Sequence, residues 1–247
     1  MTALVLSAGG MFGAYQAGAW KALAGRVRPD IVIGASVGSL NGWAIAGGAG
    51  PDELVASWLD PGCSRLAVFR AFQAPWRGCF DSQPLHARIR NLWAEYAPKT
   101  RVEVVATEIP ALRTRVFPGE CVTWRHLAAS CAVMLAYEQV RIDGRLYTDG
   151  GLLGALPLRT AAESGADRII AINALPALPS RAVSVFVRAV QALAPRPPAA
   201  PGPAPRVRVI APRGPLGPLR EAVFWNGAAV ERWIAAGEAD ALRADLE

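Results

Sequence analysis

Lysine is almost absent from this chain of 247 residues, in which Lys21 and Lys99 stand against 24 arginines. The formal net charge of +6 is therefore an arginine charge. No dense basic run and no recognisable nucleic-acid-binding module accompanies it, so we expect no nucleic-acid partner. The arginine bias comes with much alanine, glycine and proline, and we interpret it as background composition or a weak attraction to anionic surfaces.

Cysteine is also scarce, with four residues, no C-x-x-C pair and no paired histidine beside them. This spacing predicts reduced thiols and excludes a disulfide scaffold or a zinc finger. The first residues lack the basic segment of a signal peptide, and no apolar run reaches the ~18 residues of a membrane span. We therefore expect a cytoplasmic protein without a transmembrane helix.

What the sequence does contain is apolar residues, at 52% against 19% charged, which predicts a folded core. Short apolar runs alternate with helical segments, a pattern that predicts an α/β fold with a mainly parallel sheet. We expect one domain over 1–247, with a proline-rich loop at about 194–205. Strands are predicted over 3–6, 30–33, 102–107, 114–117, 145–148, 168–173 and 206–210, and helices over 14–23, 40–47, 52–58, 85–96, 124–132, 181–193 and 219–246.

The segment 66–80 is rich in aromatic residues, among them Phe69, Phe72 and Trp76. One interpretation is a cap that exposes these rings near a site and contacts a membrane surface peripherally. The other is plain filling of the core.

A nucleophile motif lies between the second predicted strand and the following helix, where Gly34-Ala35-Ser36-Val37-Gly38 fits G-x-S-x-G. A serine on such a sharp turn stands exposed at the helix N-terminus, and the small neighbours let strand and helix approach each other. There the helix dipole favours developing negative charge. Ser36 is therefore the candidate nucleophile.

A glycine-rich loop, residues 9–13, follows the first predicted strand. Such a loop can cradle a phosphate or form an oxyanion hole. The dinucleotide pattern is broken at Ala8, the Walker lysine is missing, and Asp30 begins a strand instead of binding a ribose. We therefore favour an oxyanion hole formed by the N–H groups of Gly9, Gly10 and Met11.

A serine hydroxyl needs an adjacent base, and the chain has only two histidines, His86 and His126. Both lie near predicted helix starts, not in a loop after a strand, so we interpret them as structural. Asp149, in Asp149-Gly150-Gly151 after a short strand, is the better candidate. A Ser36–Asp149 dyad would let the carboxylate take the serine proton directly.

Four sequence blocks in order resemble the patatin-like phospholipase family. Bacterial members typically carry G-G-G-x-R-G-x-Y-x-x-G, G-x-S-x-G, A-S-x-A-x-P-x-x-F-x-P-V and D-G-G. In this chain the blocks are AGGMFGAYQAG at 8–18, GASVG at 34–38, ASCAVMLAYEQV at 129–140 and DGG at 149–151. The resemblance covers most of residues 3–175.

This resemblance implies a three-layer α/β/α sandwich and a serine lipid acyl hydrolase that needs no cofactor and no metal. Its substrate would be a lipid or another acyl ester, cleaved through the Ser36–Asp149 dyad. Supporting glycines are implied at Gly13, Gly34, Gly38, Gly150 and Gly151.

The chain departs from the family pattern in the first and third blocks. Ala8 replaces the first loop glycine, and Met134 and Gln139 replace the two prolines of the third block. Phe12 stands where members commonly carry an arginine or lysine, which makes a phosphate-bearing substrate less assured and a neutral ester more plausible.

Two other functions stay open from the sequence. One is acyl transfer to a carrier thiol or alcohol, as in the related carrier acyltransferases, although those use a histidine. The other is an inactive lipid-binding or interaction protein. Chain-length preference, head-group preference and oligomeric state are not determined.

Overall fold

One eight-stranded sheet forms the centre of the computed structural model, which describes residues 1–70, 77–178, 180–196 and 203–246. Five strands run parallel in the order β3-β2-β1-β7-β8, and β4, β6 and β5 extend the β3 side as antiparallel partners. The mainly parallel sheet predicted from the sequence is confirmed. The strands are β1 Thr2–Leu6, β2 Ile31–Ala35, β3 Arg101–Ile109, β4 Arg113–Pro118, β5 Val140–Ile142, β6 Arg145–Thr148, β7 Arg168–Ile172 and β8 Arg206–Ile210.

Helices lie on both faces of this sheet. The helices over 13–23 and 37–47 are buried on almost every side, whereas the helix over 227–243 buries one side at amphipathic spacing. Between them, short 3₁₀ turns connect the elements. The helices are α1 Gly13–Leu23, α2 Val37–Gly47, α3 Pro51–Leu59, α4 Gln83–Glu95, α5 Trp124–Ser130, α6 Leu158–Glu163, α7 Arg181–Leu193, α8 Leu219–Val223 and α9 Gly227–Arg243.

The two faces are covered unequally. Side chains alternate along each strand, so Leu4 and Leu6 of β1 join the larger core cluster, in which α1, α2 and α9 also pack. Ala3 and Val5 point to the other face, where a smaller cluster includes Ala161 of α6. One layer is therefore thick and the other thin.

Helix α9 packs against α1 at backbone contact distance. A Cβ on Gly18 of α1 would lie 2.0 Å from the carbonyl oxygen of Ile234, and one on Gly237 would lie 2.0 Å from that of Tyr15. The Tyr15 hydroxyl also donates to Asp240 Oδ2 at 2.8 Å. The tyrosine and the last glycine of the first sequence block thus hold α9 in place.

The predicted terminal helix over 219–246 is wrong in its continuity. It is interrupted after Val223, and α9 begins anew at Gly227, because the Asn226 side chain accepts a hydrogen bond from Ala229 N at 3.0 Å and caps it. The predicted proline-rich loop at about 194–205 falls partly on 197–202, which lie outside the described residues.

Candidate active site

Ser36 lies in the turn between β2 and α2 with φ 54° and ψ −129°, a conformation that L-residues rarely adopt. The turn is tight because Gly34 and Gly38, two residues before and after the serine, have no side chains. A Cβ on Gly38 would lie 2.4 Å from Leu6 O, and one on Gly34 would lie 2.2 Å from Gly38 O. The strand–turn–helix context predicted for the motif is present, and α2 begins directly after the serine.

The glycine-rich loop passes beside this turn at the carboxyl end of β1. Gly10 is exposed with φ 57°, and a Cβ there would lie 2.3 Å from Ala222 O of α8, so only glycine fits. Within the described part of the chain, the N–H groups of Gly9, Gly10 and Met11 donate to no acceptor. They remain available to an oxyanion.

Asp149 follows β6 and is 8% exposed. Its Oδ1 accepts the Gly151 N–H at 2.8 Å, whereas Oδ2 is buried and has no donor at hydrogen-bond geometry among the described residues. Burial raises the pKa of Asp149 to about 6, although the nearby Ser36 side chain and the Gly151 N–H both favour the charged form. The carboxylate is therefore a stronger base than an exposed aspartate.

Ser130 ties the two halves of the site together. Its Oγ accepts the Ser36 N–H at 2.8 Å and donates to Val105 O of β3 at 2.6 Å, and its carbonyl accepts the Gly150 N–H at 3.0 Å. One buried residue thus holds both the turn of Ser36 and the loop of Asp149. Ser130 belongs to the third sequence block, and the motif alone does not indicate this role.

A second buried network supports the glycine-rich loop. The Gln16 Nε2 donates to Ser7 O at 2.6 Å, and Asn41 Nδ2 donates to Gly13 O and to Gln16 Oε1 at 3.0 and 2.9 Å. Trp58 Nε1 completes the chain by donating to Asn41 Oδ1 at 3.0 Å. The sequence motifs do not indicate these roles of Gln16 and Asn41, because the hydrogen-bond partners of both side chains are distant in sequence.

A largely apolar cavity of about 450 Å³ opens beside Ser36. It follows α2 on one side and α4 on the other, where Leu85 and Tyr96 stand about 16 Å apart along the helix axis. Such a volume is typical of pockets that enclose a small ligand. Apolar or weakly polar lining residues include Val37, Leu40, Ala44, Leu54, Trp58, Leu66, Phe80, Leu85, Ile89, Leu92, Cys131, Val133 and Val223.

The remaining supporting glycines occupy the expected loops. Gly13 begins α1 directly behind the glycine-rich loop, and Gly150 and Gly151 follow Asp149. At Phe12 the departure from the family pattern has a structural meaning: the ring is 1% exposed and packs edge-on against Trp233 of α9, with ring centroids 5.0 Å apart. This position therefore contributes packing and presents no group to a substrate.

Neither histidine lines the cavity. His126 caps α5, since its Nδ1 accepts the Thr123 N–H at 3.0 Å, and His86 packs against Trp124. The interpretation of both as structural is confirmed. The cysteines Cys63, Cys79, Cys121 and Cys131 are free, as predicted.

Two described residues of the aromatic segment 66–80, Leu66 and Phe80, line the cavity. Phe69 is 70% exposed and packs against Phe80 and Phe224. Phe72 and Trp76, on which the membrane interpretation also depended, lie outside the described residues.

The described residues offer neither a metal site nor a membrane-spanning helix. No cluster of three or more histidine, cysteine or carboxylate side chains there has the arrangement to hold a metal ion. Likewise, no helix in the described ranges combines the length and apolarity needed to cross a bilayer.

Fold and site together define an α/β protein with a serine at a strained strand–helix turn beside a buried carboxylate. The sequence profile of the patatin-like phospholipase family matches residues 4–162, and the chain belongs to that family. Similar curated proteins are the patatin-like phospholipase domain-containing protein 7 of Rattus norvegicus and that of Mus musculus, each 28% identical over 186 residues. That match covers 69% of this chain but only 13% of either relative.

Among solved structures, VipD from Legionella pneumophila superposes with a TM-score of 0.59 at 14% identity. The superposition covers 98% of this chain and 66% of that one. This likeness concerns the fold, and it extends through β7, β8 and α9, beyond the residues that the family profile matches.

Proposed function

We propose that this protein hydrolyses carboxylic ester bonds of lipids through an acyl-enzyme on Ser36, with Asp149 as the general base. The observation that carries the proposal is the meeting of three features at one point. They are a strained serine, a neighbouring aspartate whose buried Oδ2 has no donor in the described structure, and the exposed Gly10, which lines the same apolar cavity as the serine.

The reaction proceeds in two steps. Asp149 Oδ2 takes the Ser36 proton as Oγ attacks the ester carbonyl, and the N–H groups of Gly9 and Gly10, with Met11, hold the oxyanion. The carbon–oxygen bond to the alcohol breaks, and the alcohol leaves with the proton from Asp149. Water then gives a proton to Asp149 and attacks the acyl carbonyl, and Asp149 returns that proton to Ser36 Oγ as the bond to the serine breaks and the fatty acid leaves.

An acyl chain is the substrate group that suits the cavity. Its walls are mainly apolar, and each buried methylene gains roughly 0.8 kcal/mol. Among the described residues one arginine lines it, Arg88, which is held by Ser57 O and Asp60 at 2.6 and 3.3 Å. The proposed substrate class comprises phospholipids, lysophospholipids and neutral acyl esters. Neutral esters belong to it because the buried Phe12 replaces the usual motif cation.

We extend the proposal to the whole chain as one catalytic domain that meets lipid at the membrane surface from the cytoplasmic side. Residues from Gly10 to Val223 line the same cavity, which supports a single unit. The names of the curated relatives also support a phospholipase, although this chain spans about an eighth of their length. Acyl transfer through a histidine finds no support, because His86 and His126 lie away from the cavity lining.

The test combines a covalent probe with a substrate panel. We expect a fluorophosphonate to label Ser36, and we expect Ser36→Ala to lose labelling and at least a thousandfold of turnover, roughly the loss seen when such nucleophiles are removed. The panel comprises a short p-nitrophenyl ester, a lysophospholipid and a diacyl phospholipid. The matched control is Ser64→Ala, an exposed serine that donates only to Pro61 O.

Full turnover in Ser36→Ala would reject the nucleophile. Lipid binding by an unlabelled, inactive chain would instead favour the lipid-binding alternative. Product formation that requires an added thiol or alcohol acceptor would favour acyl transfer.

A further inference from the structure

The positive charge of the chain is concentrated between residues 168 and 220. This segment contains eight arginines and no aspartate or glutamate, whereas the rest of the chain has 18 basic and 20 acidic residues. The net charge of +6 thus comes from this segment alone. The charge is a local feature, which a background composition does not explain.

Helix α7 lies inside this segment and has no buried residue. Val185 is 68% and Leu193 77% exposed, and Phe186 is 39% exposed. Val185, Ala189 and Leu193 follow one another at intervals of four, so they form one stripe along the helix, with Phe186 beside it. We call these four residues the α7 stripe.

Arginines border the α7 stripe. Arg181 and Arg188 are exposed on the same side of the helix, seven residues apart, and Arg196 follows the helix end. None of the ion pairs among the described residues includes any of the three. An exposed apolar stripe beside unpaired arginines is the arrangement of a helix that lies in a lipid–water interface.

The helix also lies next to the candidate active site. The Gln191 side chain donates to Leu152 O at 3.1 Å, three residues after Asp149. A surface bound to α7 would therefore be held close to the loop that carries the proposed base.

We propose that α7 is a docking helix that binds an anionic lipid bilayer through the α7 stripe and its arginines. The proposed function explains why such docking would be useful, and the proposal rests on it in that respect only. Charge complementarity decides the partner: anionic head groups attract each arginine, whereas a second copy of the chain would bring two acid-free segments together.

The experiment measures sedimentation with vesicles, using the full chain carrying Ser36→Ala so that no lipid is consumed. We expect binding to phosphatidylcholine vesicles that contain phosphatidylglycerol, weaker binding to phosphatidylcholine alone, and loss of binding at high salt. Arg181→Gln with Arg188→Gln, and separately Phe186→Ser with Leu193→Ser, should each weaken binding by about tenfold or more. Arg181→Lys with Arg188→Lys should keep it.

The matched controls are Arg28→Gln and Leu242→Ser, which change an exposed arginine just before β2 and an exposed leucine of α9. Near-ultraviolet circular dichroism verifies that each variant is folded. Absence of vesicle binding, equal losses in the controls, or unchanged binding in the α7 variants would overturn the proposal. A dimer seen by light scattering that dissociates in the double variant Phe186→Ser with Leu193→Ser would also overturn it, since the α7 stripe would then bind a second copy of the chain.

Fluorophosphonate labelling of the chain with Ser36 intact reports on the proposed function independently. If the chain binds vesicles through α7 but is not labelled by the probe, the docking proposal stands and the proposed hydrolase function is rejected. If the chain is labelled but does not bind vesicles, the docking proposal is rejected and the proposed function stands.

Discussion

Asp149 shows what a buried carboxylate costs and what it supplies. Its burial favours the neutral acid, and the hydrogen bond from Gly151 does not offset the lost hydration, so its pKa rises to about 6. A carboxylate that binds a proton more tightly than usual is a better general base, provided that the pH is high enough to keep it ionised.

We predict that kcat/KM for a neutral p-nitrophenyl ester rises with pH through about 6 and then levels off, because only ionised Asp149 can take the Ser36 proton. A pH–rate profile measures this directly. Since His86 has its pKa lowered from 6.5 by burial and nearby arginine charge, His86→Gln is the control. Disappearance of the inflection in His86→Gln would transfer the titration to the histidine.

Asp149→Asn should abolish turnover and yet stabilise the fold. Folding raises the pKa of Asp149 from 3.8 to about 6, so the ionised carboxylate destabilises the folded state. This loss of stability begins as the pH rises above the unfolded-state pKa and is complete above the folded-state pKa, where it reaches about 3 kcal/mol. We therefore expect a higher Tm for Asp149→Asn at about pH 8 and little gain at about pH 4, where Asp149 in the folded chain is protonated and neutral. Thermal unfolding at the two pH values tests the sign, and an equal gain at both would contradict it.

At this scale the sequence motifs located the reacting groups and missed their supports. Ser36 and Asp149 could be proposed because a nucleophile turn and an aspartate–glycine loop have local signatures. Ser130 and Gln16 act through hydrogen bonds to Val105, Ser36 and Ser7, and such partners become neighbours only when the sheet forms.

Helix α9 illustrates the element scale, because its contact with α1 depends on residues that have no side chain. Gly18 and Gly237 allow the backbones of α1 and α9 to come into contact. This close approach places the Trp233 ring against the Phe12 ring of the glycine-rich loop. The helix lies beyond residues 4–162 that match the family profile, yet it completes the core.

We predict that Gly18→Ala destabilises the protein by about 3 kcal/mol, because a Cβ there would lie 2.0 Å from Ile234 O and overpack the crossing. The matched control is Gly25→Ala, where nothing lies within 4 Å of the added carbon. Denaturant unfolding compares the two. Similar stabilities for both variants would show that α9 moves aside at little cost.

The elements themselves were predictable where periodicity is strong. The parallel strands and helices α1, α4 and α7 follow the apolar pattern closely. The short strand β5 and the short helix α6 were missed, since three and six residues give too little pattern. The break between α8 and α9 was missed because the Asn226 cap competes with a continuous helical periodicity on both sides.

At the scale of the whole molecule, the total composition does not reveal where along the chain the net charge lies, whereas its glycine content was informative about the site. The arginines of residues 168–220 carry the net charge, and this only becomes visible when charge is counted along the chain. The cavity beside Ser36 was not predictable, because it is assembled from α2, α3, α4 and the loops around Phe80 and Tyr137.

That cavity sets which acyl chains can reach Ser36, and Ala44 tests this. Ala44 is 1% exposed, lines the cavity, and lies two helical turns beyond Ser36 on α2. We predict that Ala44→Phe lowers kcat/KM for p-nitrophenyl laurate by more than about tenfold, because the ring would displace several methylenes that each contribute roughly 0.8 kcal/mol, while the butyrate ester is hydrolysed almost as before. The control is Ala56→Phe, an exposed position of the neighbouring α3 that does not line the cavity. If the ratio of the two rates stays unchanged in Ala44→Phe, the acyl chain binds elsewhere, and the apolar cavity between α2 and α4 has a different occupant.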